Sequence, residues 1–226
     1  MGIISLNKAS RLYWLGRYTE RAYTGLKDVK NIYDTSVDGR EADYSTYCRR
    51  LGIPCDYSST SDFCKRYFFD TSNPNSLAAS LVYAYDNAIV LRDTLTTDTL
   101  SYILLAMSAM EKASNSTNPG VELQWVMDDI MAFRGSCEEN IFEEGTRALI
   151  KLGASVERVD LYLRLGKEPA LVRREFERLF NRLYKAQLAP DKEKLDLLVD
   201  SLLDSSKPDC STFELIDALE GLFLDL

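Results

Sequence analysis

Hydrophobic positions recur at three–four spacing along almost the whole chain, and that period predicts helices throughout. Leu12, Leu15, Tyr18 or Thr19, Ala22, Leu26 and Val29 mark one face of a first helix over about Leu6–Tyr33. Thr35-Ser36-Val37-Asp38-Gly39 stops it. Shorter helices are expected over Glu41–Leu51, closed by Gly52 and Pro54, and over Ser61–Phe69. Asn73-Pro74-Asn75-Ser76 reads as a helix start, with a capping residue, Pro in the first turn and then an apolar run, and predicts a helix over Ser76–Thr94. Thr97 or Asp98 is expected to cap the next, to about Lys112. A continuous helical period covers Val121–Leu165, with Gly135 and Gly145 as candidate breaks or close-packing sites, until Lys167-Glu168-Pro169. Three more helices are expected: Pro169–Leu188, Asp191–Leu203 and Ser211–Leu224. No long segment alternates with period two, so the fold class is all-α, a multi-helix bundle. One domain over residues 1–226 fits a core shared by both halves, with a candidate half-domain junction at 113–120.

The same pattern contains a repeat. Leu15-Gly16 precedes Glu20-Arg21 as Leu152-Gly153 precedes Glu157-Arg158, both on helical segments. A helix-interior Gly costs roughly 1 kcal/mol relative to Ala, and the usual compensation is close approach of a second helix. Each glycine lies one turn before its glutamate and shares its face. Two pseudo-symmetric helices in one bundle account for both copies. A charge on such a face must be paired, because an isolated buried charge is prohibitively expensive. Candidate partners are Arg17, three residues before Glu20, the polar stretch Asn87, Arg92 and Asp93, and the carboxylates Glu138, Glu139, Glu143 and Glu144. The pairs then either staple helices or form a ligand or catalytic site; the motifs leave both open.

Composition narrows the chemistry. With 226 residues, 46% hydrophobic, the chain can bury a sizeable core. Its net charge of −8 disfavours nucleic acid and anionic membrane surfaces. Basic pairs such as Arg49-Arg50 and Arg173-Arg174 are assigned to solvated helix faces. No apolar run approaches the roughly 18–20 residues of a membrane span. Met1–Arg11 lacks the pattern of an export signal, so a cytoplasmic location is expected. The five cysteines are irregularly spaced and lack a CxxC pair, which favours free thiols over a metal site at Cys48, Cys55 and Cys64. Histidine is absent, which removes His-activated nucleophiles, His-ligated zinc and Glu-x-x-His di-iron sites. Asp128-Asp129 with Glu138-Glu139 lacks the third acidic position of a prenyl-transfer metal motif. Neither a Walker A sequence nor GxGxxG is present, so no nucleotide, metal or other cofactor is expected on this chain.

The block Leu12-Tyr13-Trp14-Leu15-Gly16-Arg17-Tyr18 followed by Glu20-Arg21-Ala22 resembles the bacterial alpha-E domain family. Asn73-Pro74 with Ser76, Asn87 with Arg92-Asp93, Phe133-Arg134-Gly135, and Leu152-Gly153 with Glu157-Arg158 extend the resemblance in order. It implies an accessory or substrate-binding helical subunit that works with an ATP-grasp-type ligase or a transglutaminase-like protein. The implied setting is the making or tailoring of peptides or amide-linked metabolites, on a carboxylate-bearing small molecule or peptide. A stand-alone enzyme using buried Glu and Arg, and a purely structural interaction module, are the alternatives. The chain departs from the family pattern at Ala154, where Arg commonly follows Leu-Gly, and at Tyr85 and Ile89, where Arg is expected. The expected aromatic near Leu100 is also missing. Arg17, Glu20, Arg21, Asn87, Arg92, Glu157 and Arg158 form the retained candidate polar site.

Overall fold

The computed structural model describes residues 4–186, 188–204 and 210–223. Ten α-helices follow in order among them: α1 (Leu6–Val37), α2 (Tyr44–Leu51), α3 (Thr60–Phe69), α4 (Leu77–Val90), α5 (Thr97–Asn115), α6 (Gly120–Asn140), α7 (Glu144–Arg164), α8 (Pro169–Ala186), α9 (Lys192–Leu202) and α10 (Thr212–Glu220). No β-strand occurs among the described residues, so the chain is an all-α bundle.

Most helix starts are capped by the residues that the sequence offers. Ser76 accepts a hydrogen bond from the Ala79 amide at 2.9 Å and caps α4, so Asn73-Pro74 lies in the turn ahead of the helix and not in its first turn. Ser211 and Glu214 form a reciprocal capping box at α10. The helix expected from Glu41 begins instead at Tyr44, because the Glu41 carboxylate accepts hydrogen bonds from the Thr60 hydroxyl at 2.5 Å and amide at 3.0 Å. Asp43 caps α2 in its place. Thr96, one residue before the expected cap, accepts from the Thr99 amide at 3.2 Å. Helix α4 stops at Val90, which leaves Arg92 and Asp93 in a turn rather than on the helix.

The long period at 121–165 is two helices. Neither glycine breaks it: Gly135 is inside α6 and Gly145 is in the first turn of α7. The break falls at Ile141–Glu143, where Ile141 is buried and Phe142 stands 94% exposed. Acidic residues crowd both sides of it. They are unfavourable at the C-terminus of α6 and favourable at the N-terminus of α7, so a new helix start suits Glu143 and Glu144 better than continuation does. Gly166, in the left-handed region at φ +63°, ends α7, with the Lys167 amide reaching back to the Tyr162 carbonyl. The expected C-terminal residue Leu224 lies outside the described residues.

The helices belong to two compact units. One comprises Met1–Arg17 with Glu143–Leu226, the other Tyr18–Phe142. In the first, Leu12 and Leu15 of α1, Leu149, Leu152, Val156 and Val159 of α7, and Phe176 and Leu179 of α8 are almost wholly buried. Side chains of this size contribute roughly 1.5–3 kcal/mol each on burial. Helices α7 and α8 form an antiparallel hairpin, and α9 and α10 complete the unit. In the second, Ala22, Leu26 and Val29 of α1 are buried, as are Phe63 and Phe68 of α3, Leu77 and Leu81 of α4, Ile103 of α5 and Phe133 of α6. Helices α5 and α6 form its main hairpin, and residues 116–119 make the bend between them. No described helix is long and apolar enough to cross a membrane.

Candidate functional site: the two Glu-Arg motifs

In the first unit, α1 and α7 cross at the motif glycines. A Cβ added to Gly16 would run into the Ile150 carbonyl and lie 3.0 Å from the Ala154 amide nitrogen. A Cβ on Gly153 would run into the Tyr13 carbonyl and lie 3.2 Å from the Arg17 amide nitrogen. Each glycine therefore faces the residue three before, and the residue one after, the other glycine. Only the absence of a side chain lets the two backbones approach so closely.

That crossing places Arg17 against Glu157. The Arg17 Nε donates to the Glu157 carboxylate at 2.7 Å, and their side chains are 9% and 1% exposed. Burial opposes the Arg17 charge, but Glu157 first and then the Tyr13 hydroxyl more than offset it and hold the guanidinium above its ordinary value. The guanidinium also lies 4.9 Å from the Trp14 ring centre. Burial pushes the Tyr13 hydroxyl up to about 12 against the opposing pull of Arg17. Asp160, one turn beyond Glu157, is raised by burial, although Arg164 holds it at 2.9 and 3.1 Å. Arg158 turns to α8, where it donates to Glu175 at 3.2 Å.

In the second unit Glu20 is fully buried. Its two oxygens accept from the Thr24 hydroxyl at 2.5 Å and from Arg134 of α6 at 2.7 Å. Arg134 lies 4.5 Å over the Tyr23 ring. Arg21 sits 5.6 Å from the Tyr18 ring centre on its own helix. Asn87 donates to the Tyr83 carbonyl one turn back at 2.8 Å, and Arg92 is exposed in the turn after α4.

Among the seven retained candidates, then, Arg17 and Glu157 are brought together directly. Glu20 and Arg158 take partners outside the set. Arg134 was legible, since it stands in the Phe133-Arg134-Gly135 block, but it had no assigned role. Glu175 carried a signal too. It occupies a position on the apolar stripe Val172, Phe176, Leu179 and Leu183, where a carboxylate demands a partner.

Neither motif carboxylate is open to an incoming group in this arrangement. A hollow of about 400 Å³ does lie elsewhere in the second unit, lined among others by Phe69, Leu81, Val82, Met107, Met110 and Glu111, and none of the seven candidates lines it. The cysteines are free. Burial raises the Cys48 thiol to about 12, helped by its hydrogen bond with Cys55, and raises Cys64 to about 11. No group of three or more Cys, Asp or Glu among the described residues is placed to hold a metal ion.

No curated protein and no solved structure matches the chain. A family model described as "a predicted alpha-helical domain with a conserved ER motif" matches residues 7–205. The two Glu-Arg motifs whose geometry is given above fall within that match, which spans most of the sequence, and the chain belongs to the Alpha-E family.

Proposed function

We propose that this chain is a non-catalytic helical subunit that acts through a protein partner. The partner is an ATP-grasp-type ligase engaged in forming or tailoring peptide or amide bonds. The observation that carries this is the burial of the motif carboxylates: Glu20 is 0% exposed and Glu157 1%. Each is held at 2.7 Å by an arginine of its own unit. A general acid or base must come within hydrogen-bond reach of a substrate proton. Carboxylates enclosed and charge-paired in this way favour packing specificity over turnover. The ligase setting follows from the family resemblance and from the lack of any nucleotide-binding motif on this chain.

The test is affinity capture of the tagged chain from its own cells, with the captured proteins identified by mass. An ATP-grasp ligase recovered in stoichiometric amount supports the proposal, and its absence overturns it. In parallel, Glu20→Gln and Arg158→Lys are assayed for both thermal unfolding and ligase output. Loss of output from a variant that unfolds like the wild type would favour a catalytic site instead.

A further inference from the structure

The hollow of about 400 Å³ in the second unit has the makeup of a ligand site. It is lined by residues of α4 and α5 and, at the end of α3, by Phe69 and Thr71. Small-molecule pockets are commonly about 300–1,000 Å³, mostly apolar, with a few polar groups that fix the ligand's orientation. Phe69, Ala78, Leu81, Val82, Met107 and Met110 supply the apolar part. Two methionines in one lining make it adaptable, because their unbranched thioether side chains repack around what they meet.

The polar part comes mainly from α5. Ser108 and Glu111 both line the hollow, are exposed, and stand three residues apart on one helix face. The Glu111 carboxylate carries the only charge in the lining. Its backbone carbonyl is occupied, accepting from the Ser114 hydroxyl at 2.8 Å and the Asn115 side-chain amide at 2.9 Å. Its carboxylate accepts no hydrogen bond and meets no basic side chain among the described residues. In this it differs from Glu20, Glu157 and Glu175, each of which an arginine holds. An exposed carboxylate needs no partner for stability, but beside an apolar hollow it selects the charge of what enters. An ammonium group brings three N–H donors, which a carboxylate and a hydroxyl oxygen can accept. An anion would meet repulsion from Glu111 and from a chain of net charge −8.

We infer that this hollow binds a small primary amine with an apolar body. Glu111 and Ser108 take the ammonium, and Leu81, Met107 and Met110 take the body. None of the seven Glu-Arg candidates lines the hollow, and the site does not rest on the ligase partner proposed above.

The probe is tryptamine, titrated into the full chain with isotope-labelled methionine methyl groups and followed by NMR. Met107 and Met110 line the hollow, whereas Met127 and Met131 belong to α6 and do not. The first two methyl signals should move and saturate while the other two stay. Raised salt should weaken binding. Glu111→Gln should weaken it about threefold or more, as loss of a partly exposed charge-assisted contact does. Ser108→Trp, which places a bulky ring at the hollow, should weaken it about tenfold or more. Both positions are exposed, and circular dichroism checks each fold; if Ser108→Trp disturbs it, Glu111→Gln decides alone. The neutral analogue tryptophol should bind more weakly than tryptamine, and the anionic indolepropionate most weakly of the three. Unchanged affinity in Glu111→Gln, tryptophol binding as tightly as tryptamine, or no saturable shift of Met107 and Met110 would each overturn the assignment. Preference for indolepropionate would give the hollow to an anion instead. Shifts of Met107 and Met110 that follow protein concentration without any amine would give it to a second copy of the chain, and either result overturns the amine site.

Discussion

Gly16 and Gly153 meet across the α1–α7 crossing, each against backbone three residues before the other. The contact is reciprocal, and it sets the height at which Arg17 reaches Glu157.

Gly16→Ala or Gly153→Ala should each destabilise the protein by about 1–3 kcal/mol, because backbone must move to admit a methyl group and the gain in helix propensity is smaller. Gly135→Ala supplies the contrast. Its Cβ would meet nothing within 4 Å, so the same substitution should stabilise by up to about 1 kcal/mol. Urea unfolding of the three variants checks the ordering.

The Arg17–Glu157 pair should behave as a buried ion pair. Arg17→Met or Glu157→Leu alone should cost about 3–5 kcal/mol, since each strands a buried charge. The double substitution should recover much of that loss. A double-mutant cycle by thermal unfolding measures the coupling, and additive losses would show that the pair is not a unit.

Acid should weaken the α7–α8 hairpin through Glu175. Burial opposes its charge, but Arg158 and Arg178 outweigh burial and hold its carboxyl below the ordinary value of 4.5. A depressed carboxylate contributes stability that is present above the unfolded value and lost as pH falls through the folded one. Asp160 is raised by burial and contributes in the opposite sense. Glu175→Gln should therefore be less stable than wild type at pH 7, and its stability should fall less between neutral pH and pH 3. Parallel urea titrations at the two pH values give the comparison.

Thiol chemistry should discriminate among the cysteines. Cys55 is exposed, whereas Cys48, Cys64 and Cys137 are buried, and burial raises the first two of these thiols to about 12 and about 11. The thiolate is the nucleophile, so iodoacetamide should modify Cys55 well before those three in the folded protein. Denaturation should erase the difference. Mass mapping of the alkylated peptides reads the order directly.

The sequence by itself determined the helices and the buried face of α1. Leu12, Leu15, Ala22, Leu26 and Val29 are spaced at the helical period and all are buried, and of Tyr18 and Thr19, between which the period left a choice, the structure buries Thr19. It also marked the two glycines, since a helix-interior Gly at matching positions needs a compensating contact. The starts of α4, α9 and α10 were readable to within one residue, because a helix start depends on a few neighbouring residues. Tertiary structure alone decided which charge meets which. Arg17 is only three residues from Glu20 in sequence, but its partner is Glu157 of α7, while Arg134 reaches Glu20 from α6. Local spacing fixes the face on which a side chain stands, whereas an ion pair depends on which helix packs there and at what height. The α6–α7 break follows the same logic: a burial position at Ile141, an exposed Phe142 and carboxylates at two helix ends outweighed an unbroken local period.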